Sequence, residues 1–436
     1  MNPLHTVYNL AGNACAALIL PPLWAHRRLR GEDMTRFNAR LGIHARATRR
    51  AFDGSPCIWL HAVSVGEVGV AQALVKTIKA RLPQSRLAVS VATEQGFARA
   101  ESLLNGQATC FYAPLDLGAV VRKTLRMVRP QVLAMLETEI WPNLIVTAHQ
   151  MGARTAILNG RISMRAIRKY RKIRPLMRHT LSHVDAFSMI SEQDAGRIRS
   201  LGATPERLVV NGNAKFDSPD PRLDPSAAGW ARDILNLSQD TPVFVAGSTR
   251  HAEEPVLLEA FVEIRRIFPD CVLILAPRHI QRTEQIEQWV REKGLACQRR
   301  TSLQPSTRPR TAPVVILDTI GELSAIYSSA DFVFCGGSLV RKGGQNVLEP
   351  ALWEKPVMYG PSMEDFADAK GILEQSGAGF TVHGAAELAR LAVSWLRHPA
   401  QARKIGRRAR HVILSHRGAA EKHARVLLRL LGAGQA

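Results

Sequence analysis

The sequence predicts an α/β protein with two doubly wound, Rossmann-like domains that face each other across a cleft. Short apolar runs alternate with helical stretches along most of the chain, which is typical of parallel sheets covered on both faces. The alternation stops at residues 211–226, a segment rich in Gly, Asn, Asp and Pro, and then starts again. The chain has 436 residues, which is enough for two domains of ordinary size.

The apolar runs predict the strands of each domain. In the first half we expect strands at 57–61, 87–92, 132–136, 155–158, 186–190 and 208–210, with helices such as 68–80 and 192–201 between them. In the second half we expect strands at 243–246, 272–276, 314–317, 332–335 and 357–359, with helices such as 254–267 between them. These elements predict a first domain over 31–215 and a second over 216–436, whose last helices are free to cross back.

Residues 1–30 form a separate N-terminal segment. An apolar stretch at 10–24 is interrupted by Pro21 and Pro22 and is followed by His26 and three arginines. An apolar stretch followed by positive charge favours a shallow membrane anchor or a marginal span, with the next domain on the cytoplasmic side. The alternative is a helix that packs on the first domain and touches no membrane.

The chain is strongly basic, with 58 Lys and Arg against 37 Asp and Glu and a net charge of +21. This balance predicts nucleic acid, an anionic membrane or an acidic substrate as a partner. The segment 165–178 interleaves basic and apolar residues, which suits anionic lipids. We expect no nucleic acid, because aromatic residues make up only 6% and no nucleic-acid-binding module is present. The six cysteines are scattered singly, which predicts neither a zinc site nor a disulfide framework.

Residues that could carry chemistry follow the predicted strands, where parallel sheets bind their ligands. The first such loop, HAVSVGE, contains Ser64, Gly66 and Glu67 near the start of a helix. A carboxylate at this point could take a proton from an attacking hydroxyl group. The spacing of Ser64 and Glu67 is equally that of a capping box, which needs no substrate. The sequence leaves both interpretations open.

The next two loops add a pair of carboxylates and a lysine. In LETEIWPN, Glu137 and Glu139 follow an apolar strand, and Pro142 marks a helix start. Alternate residues of an extended chain point to the same side, so both carboxylates are expected on one side, unless one pairs with an arginine. In GNAKFD, Lys215 is expected to reach into the cleft, and a solvated linker side chain is the alternative.

Three loops of the second half suit an anionic ligand. AGSTRHAEE contains Ser248 in a turn whose N–H groups could bind phosphate, or whose Ser and Thr could cap a helix. APRHI contains Arg278 and His279, which suit a phosphate or ribose pocket or a surface turn. DTIGEL contains Gly321, which permits a ligand to approach the backbone closely.

The longest motif is GGSLVRKGGQNVLEP, in which two glycine turns follow a strand. The second turn opens a predicted helix that carries Asn346 and Glu349, three residues apart on one helix face. A glutamate near a helix start could accept hydrogen bonds from both hydroxyl groups of a ribose. The motif therefore predicts a nucleotide site in the second domain.

In this order, HAVSVGE, ETEIWPN, GNAKFD, PRH, GEL and GGSLVRKGGQNVLEP resemble the Kdo (3-deoxy-D-manno-octulosonic acid) transferase family over nearly the whole chain. The resemblance implies the GT-B fold, CMP-Kdo as donor, the lipid A precursor lipid IVA as acceptor, and no metal or other cofactor. It implies that Glu67 is the general base. The implied CMP contacts are Arg278, His279, Gly321, Glu322, Leu323, Asn346, Val347, Leu348 and Glu349. Further candidates for substrate contacts are Ser64, Gly66, Glu137, Glu139, Lys215 and Ser248.

The implied reaction is an inverting glycosyl transfer at the cytoplasmic face of the inner membrane. Glu67 would deprotonate a glucosamine 6-hydroxyl group, whose oxygen attacks the anomeric carbon of Kdo as CMP leaves. Two alternatives stay open: another GT-B glycosyltransferase or nucleotide-sugar 2-epimerase, and a non-catalytic basic protein that binds membrane or nucleic acid. The family's loop after the last strand usually reads GPH with an asparagine three residues on, where this chain has Ser362 and Asp365.

Overall fold

The structure is a computed structural model that describes residues 3–31, 33–52, 57–137, 139–217, 225–250 and 252–432. The chain divides into two compact units. The first consists of Met1–Ser218 together with His416–Ala436, and the second of Pro219–Ser415. Each unit contains one parallel sheet, so the predicted fold class of two doubly wound units is confirmed.

Helices and strands alternate along both units. The first unit contains the helices α1 (Pro3–Leu29), α2 (Thr35–Arg40), α3 (Arg46–Arg50), α4 (Val65–Arg81), α5 (Glu94–Leu104), α6 (Gly118–Val128), α7 (Pro142–Gln150), α8 (Met164–Lys172), α9 (Arg174–Leu181) and α10 (Glu192–Leu201). Its strands are β1 (Cys57–His61), β2 (Arg86–Val91), β3 (Thr109–Tyr112), β4 (Pro130–Leu136), β5 (Arg154–Gly160), β6 (Ala186–Met189) and β7 (Leu208–Val210).

The second unit repeats the alternation, and the last helix returns to the first unit. Helices of the second unit are α11 (Pro225–Ile234), α12 (Glu254–Ile267), α13 (Thr283–Glu292), α14 (Leu323–Ile326), α15 (Leu348–Leu352), α16 (Ala367–Gln375), α17 (Ala385–Arg397) and α18 (Pro399–Ser415), and α19 (Ala419–Leu430) belongs to the first unit. The strands are β8 (Val243–Thr249), β9 (Val272–Pro277), β10 (Cys297–Arg299), β11 (Val314–Ile316), β12 (Phe332–Cys335), β13 (Val357–Tyr359) and β14 (Gly379–Thr381).

Both sheets are wound in two directions from a central pair of strands. Within the described residues, the first sheet has the order β3-β2-β1-β4-β5-β6-β7 and the second β10-β11-β9-β8-β12-β13-β14. The winding direction reverses between β1 and β4 in the first sheet and between β8 and β12 in the second. Ligands of such sheets bind beyond the carboxyl ends of the strands at this reversal. Ligand-binding residues are therefore expected in the loops after β1, β4, β8 and β12.

The core of the first unit lies on both faces of its sheet. Trp59 of β1 packs into one apolar cluster, and its neighbours Ile58 and Leu60 pack into another. Successive side chains of a strand point to opposite faces, so both faces are covered. This burial explains why the strand appears in the sequence as a continuous apolar run.

Every predicted strand is present, but three strands were not predicted: β3, β10 and β14. β3 and β10 form one edge of their sheets and β14 forms the other edge of the second sheet. They are three or four residues long and mostly half-buried. A short, half-buried edge strand needs no continuous apolar run, so it leaves little pattern in the sequence.

The N-terminal segment is one helix, and the predicted interruption at Pro21 and Pro22 is wrong. α1 continues through both prolines to Leu29. The two missing N–H donors remove hydrogen bonds from the helix without ending it, because the turns on either side are kept. In the described part of the chain, no helix combines the length and the apolar character needed to cross a membrane.

The predicted linker begins later than the sequence pattern indicates. Residues Ala214–Asp217 form a 3₁₀ helix of the first unit in which Ala214 and Phe216 are buried. The Asp217 carboxylate accepts hydrogen bonds from Gly418 N and Ala420 N, both at 2.6 Å, at the start of α19. A segment read as linker from its Gly, Asn and Asp content is therefore a fixed attachment for the last helix.

Candidate active site

Glu67 lies in the first turn of α4, directly after β1. Its Oε2 accepts a hydrogen bond from Val63 N at 2.5 Å, and its Oε1 accepts one from Ser64 Oγ at 3.0 Å. The residue is only 7% exposed. The carboxyl group is thus held in one orientation at the carboxyl end of β1.

The capping-box alternative is not realised, because neither of its two reciprocal hydrogen bonds is seen among the described residues. The Ser64 side chain makes no cap hydrogen bond to a backbone N–H group of α4. Its hydroxyl group donates a hydrogen bond to the Glu67 carboxylate instead. Glu67 also accepts a hydrogen bond from the backbone N–H of Val63, the residue before the cap residue. In a capping box, the serine oxygen accepts a hydrogen bond from a helix N–H and the glutamate accepts one from the N–H of the serine. The Ser64 hydroxyl therefore orients the carboxyl group rather than capping the helix.

Burial raises the pKa of Glu67 from its ordinary value of 4.5 to about 8. Loss of hydration is the largest cause, and the negative charges of Glu137 and Glu139 add to it. The two hydrogen bonds that the carboxylate accepts act in the opposite direction and are outweighed. A carboxyl group whose pKa lies near neutrality is suited to take up a proton from a substrate.

The two carboxylates after β4 do not continue the strand, so the expectation of an extended segment is wrong. Glu137 has a φ of 54° and opens a turn directly after Leu136. Glu139 accepts a hydrogen bond from Trp141 Nε1 at 2.5 Å, and burial raises its pKa. Both carboxylates nevertheless act on Glu67 through their charge. The turn, rather than strand alternation, brings them to the same site.

Lys215 is the cationic partner of this carboxylate group. Its Nζ lies 2.8 Å from Glu137 Oε1, and the two side chains are 18% and 10% exposed. The alternative of a solvated linker lysine is therefore wrong, and the cation paired with Glu137 is this lysine. The 3₁₀ helix Ala214–Asp217 holds Lys215 against the first unit, where it offsets part of the local negative charge.

Two arginines that the sequence analysis did not single out lie near the carboxyl ends of the strands in the first unit, close to the Glu67 loop. Arg36 Nη2 donates to Ala92 O at 3.3 Å, and Ala92 N donates to Val63 O in the Glu67 loop. Burial and the charge of Arg36 lower the pKa of Arg40, whose Nε has no hydrogen-bond partner in the described part of the chain. These arginines belong to α2, which precedes the first strand and has no motif to mark it.

His61, the first residue of the HAVSVGE loop, is fully buried. Its Nδ1 lies 2.8 Å from Ser90 Oγ, and its ring meets the Trp141 ring edge-on at 4.5 Å between centroids. Burial, with a smaller contribution from Arg40, lowers its pKa to about 3, so it is neutral at physiological pH. Its role is to join the Glu67 loop to the loop that carries Glu139 and Trp141.

In the second unit, Arg278 and His279 directly follow β9 and are exposed. The backbone N–H of Arg278 donates to Thr249 O at 2.9 Å, which ties the loop to the end of β8. Burial lowers the pKa of His279, and the charges of Arg250, Arg278 and Arg282 lower it further. The buried Nε of Arg250 has no hydrogen-bond partner among the described residues. This group of positive charges suits an anionic ligand.

Ser248 and Thr249 do not cap a helix, so that alternative is wrong. Both residues still belong to β8, and α12 begins only at Glu254. Ser248 has a φ of 54°, a strained conformation for a serine, and Thr249 Oγ1 donates to Glu254 Oε1 at 2.9 Å. The strand is longer than predicted, and the turn lies after it.

The DTIGEL loop exposes Gly321 with a φ of 95°, as expected of a backbone that only glycine adopts easily. Glu322 accepts hydrogen bonds from Arg300 Nη2 at 2.9 Å and Thr319 Oγ1 at 2.5 Å. Leu323 is the first residue of α14. The Glu322 side chain is therefore engaged within the protein, and a ligand here would meet the backbone.

The Asn346 and Glu349 pair forms, but not on one helix face as predicted. α15 begins at Leu348, so Asn346 precedes the helix. Asn346 Oδ1 accepts from Leu348 N at 3.0 Å, and its Nδ2 donates to Glu349 Oε1 at 2.9 Å. Val347 and Leu348 are buried and offer their side chains to the core. Asn346 thus holds the Glu349 carboxylate at the start of a short helix.

With this geometry in view, comparison with known proteins identifies the family. The sequence model described as 3-deoxy-D-manno-octulosonic-acid transferase (kdotransferase) matches residues 35–218. A 3-deoxy-D-manno-octulosonic acid transferase of Bordetella pertussis is 31% identical over 428 residues, which are 95% of this chain and 97% of the relative. The chain belongs to the Kdo transferase family.

Other comparisons extend the likeness to larger proteins and to the fold. A bifunctional glycosyltransferase/methyltransferase of Fusobacterium nucleatum is 34% identical over 333 residues, and the match spans 76% of this chain but only about half (51%) of that protein. The structure of a UDP-GlcNAc 2-epimerase from Neisseria meningitidis is similar with a TM-score of 0.61 and 9% identity, covering 86% of this chain and all of that one. The latter likeness concerns the GT-B fold alone.

Ser362 and Asp365, the two residues that depart from the Kdo transferase pattern, form hydrogen bonds with the turn at Gly343. Ser362 Oγ accepts a hydrogen bond from Gly343 N at 3.1 Å and donates to Glu364 Oε2 at 2.7 Å. Asp365 N donates to Gly343 O at 2.9 Å. In this member of the family, the serine and the aspartate therefore fix the turn that precedes Asn346.

Proposed function

We propose that the protein transfers Kdo from CMP-Kdo to the lipid A precursor lipid IVA, with inversion at the anomeric carbon. The observation that carries the proposal is the Glu67 carboxyl group in the family's SxGE turn. It is buried, oriented by Val63 N and Ser64 Oγ, and has a pKa raised to about 8. Membership of the Kdo transferase family supports the nature of the transferred sugar.

In the proposed reaction, Glu67 removes the proton of an acceptor hydroxyl group. The acceptor oxygen forms a bond to the anomeric carbon of Kdo, and the bond from that carbon to the phosphate oxygen of CMP breaks. Lys215 pairs with Glu137 and so offsets one of the two charges that raise the pKa of Glu67, which helps Glu67 to lose its proton. Neutral His61 keeps the loop in place and does not compete for the proton.

The donor is proposed to bind to the second unit. Its phosphate would lie at Arg250, Arg278 and His279, where the positive charges are concentrated. Guanidinium groups form charge-assisted hydrogen bonds to phosphate and would stabilise the negative charge that develops on the leaving CMP. The exposed backbone at Gly321 and the Glu349 carboxylate held by Asn346 would take the base and the ribose.

The proposal is tested by incubating the purified protein with CMP-Kdo and lipid IVA and analysing the lipid by mass spectrometry. We expect a product whose mass is increased by Kdo, together with free CMP. UDP-GlcNAc supplied as the only donor serves as control, and neither transfer nor epimerisation is expected with it. Conversion of UDP-GlcNAc, or CMP-Kdo left intact with lipid IVA present, would contradict the proposed function.

We also propose that the protein is attached to the cytoplasmic face of the inner membrane through α1. The start of this helix packs on the first unit, where His5 is buried and Tyr8 Oη donates to Asp116 Oδ2 at 3.0 Å. Farther along, Leu18 and Ile19 are 77% and 59% exposed. The segment 165–178 contributes less apolar surface than its sequence indicates, because its residues Ile167, Leu176 and Met177 are buried in the protein.

Replacing Leu18 and Ile19 together with asparagine is expected to weaken binding to anionic vesicles by roughly tenfold or more per residue, since each would lose most of its burial in lipid. Sedimentation with phosphatidylglycerol vesicles measures this. Ile320 in the second unit is 86% exposed, so Ile320→Asn is a matched control that should not change binding. Higher salt should weaken the wild type as well, because basic residues contribute. Equal binding by the double variant and the wild type would contradict attachment through α1.

A further inference from the structure

The loop after β12 forms a ring of backbone N–H groups around one side chain, Glu253. Its Oε2 accepts a hydrogen bond from Gly337 N at 2.6 Å, and its Oε1 accepts hydrogen bonds from Ser338 N and Leu339 N, both at 2.8 Å. The N–H of Arg250 also donates to it at 2.8 Å. Glu253 is fully buried. The carboxylate thus receives four backbone hydrogen bonds out of contact with solvent.

Successive N–H groups that converge on one point are an anion-binding nest, a device that commonly binds phosphate after the strands of such sheets. Here the chain itself supplies the anion. Glu253 immediately precedes α12, in the turn that follows β8, and β8 is the sheet neighbour of β12. The pairing of these two strands therefore places the Glu253 carboxylate in the nest whenever the sheet is formed.

The filled nest adjoins the proposed donor site. Gly344 N donates to Gly337 O at 2.9 Å, and Asn346 O lies 3.7 Å from Cys335 Sγ at the end of β12. Burial raises the pKa of Cys335, and the negative charges of nearby Glu349 and Glu253 raise it further. The backbone N–H of Arg250 donates a hydrogen bond to Glu253, and the positive charge of its side chain lowers the pKa of His279. Arg250 therefore lies between the nest and the proposed phosphate site.

We infer that Glu253 is a specificity-determining residue, because its carboxylate occupies the nest after β12 and so restricts the donor site to nucleoside monophosphates and their sugars. A nucleoside diphosphate would direct its second phosphate toward a nest that already holds a negative charge. The N–H groups of the nest already donate to Glu253 and so are not available to that phosphate. The inference rests on the proposed CMP-Kdo donor and adds the means by which a diphosphate donor is refused. A like charge placed in this way weakens the binding of the competing ligand more than that of the intended one.

The test compares the dissociation constants of CMP and CDP by calorimetry. In the wild type, CDP is expected to bind about tenfold or more weaker than CMP, and in Glu253→Gln this ratio should fall by about tenfold. The amide carries no negative charge, so the repulsion of the second phosphate is removed. Glu263→Gln, on the exposed face of the same helix, should leave the ratio unchanged. Glu349→Ala should weaken both ligands equally.

A ratio that is the same in Glu253→Gln and the wild type would overturn the inference while the proposed function stands. Failure of the wild type to bind CMP would instead count against the proposed donor. The nest itself is tested without a nucleotide, which also covers a Glu253→Gln protein that does not fold. Formate should raise the melting temperature of Glu253→Ala more than that of the wild type, and chloride at equal ionic strength should not. An equal effect of formate on both proteins would show that the nest does not select anions, and would overturn the inference.

Discussion

Replacing Glu67 with glutamine is expected to lower the rate of Kdo transfer by ~100-fold or more, the usual scale for a lost general base. Glutamine keeps an oxygen that can accept the Val63 N–H at the position of Oε2, so the loop should hold its shape. The melting temperature is expected to change little, and CMP binding should persist. Mass spectrometry of the lipid product over time measures the rate, and calorimetry with CMP is the control for folding.

The pH dependence of the wild type follows from the raised pKa of Glu67. A general base must be deprotonated, so kcat/KM should rise with pH and level off above about 8. Stability should change in the opposite direction. The folded state binds this proton more tightly than the unfolded state, so the contribution of Glu67 to the free energy of unfolding is full below pH 4.5 and is lost as pH rises through about 8.

Glu67→Gln should lack that decline in stability, which urea titrations at several pH values would measure. A variant that keeps near-normal transfer would show that another group is the base, and Glu139 would be the next to test, since burial raises its pKa too. If the variant transfers Kdo slowly and has also lost its melting transition, it has failed to fold, and the result does not test whether Glu67 is the general base.

The sequence predicted the interior of the fold better than its margins. β1 and β12 are buried on both faces, so they appear as continuous apolar runs. The edge strand β10 is half-buried throughout and leaves no such run. The turn at Glu137 was also missed, because nothing in ETE distinguishes an extended chain from one that turns at its first residue with φ of 54°.

Site residues were predictable where they follow a buried strand, as Glu67 and Arg278 do. Contacts between distant parts of the chain were not. Glu253 lies 84 residues before Gly337, and only the pairing of β8 with β12 brings them together. Arg40 is in a similar position, since α2 precedes the sheet and its proximity to His61 depends on how the chain folds back.

Replacing Lys215 with methionine is expected to lower the free energy of unfolding by roughly 2–4 kcal/mol, because a mostly buried carboxylate loses its cation. Lys215 Nζ lies 2.8 Å from Glu137 Oε1, and neither side chain is well hydrated. The same change should alter catalysis. Glu137 already raises the pKa of Glu67, and without Lys215 its charge is less offset, so the midpoint of the rise in kcat/KM should move above about 8.

Three comparisons separate this effect from general damage to the fold. Glu137→Gln alone should move the midpoint of the pH profile below about 8, since the second cause of the raised pKa of Glu67 is removed. The double variant Lys215→Met/Glu137→Gln should recover part of the lost stability, because no unpaired charge remains. Lys76→Met, at an exposed position on α4, should change neither stability nor the profile. If Lys215→Met lowers stability but leaves the midpoint unchanged, the lysine supports the fold without controlling the charge of Glu67.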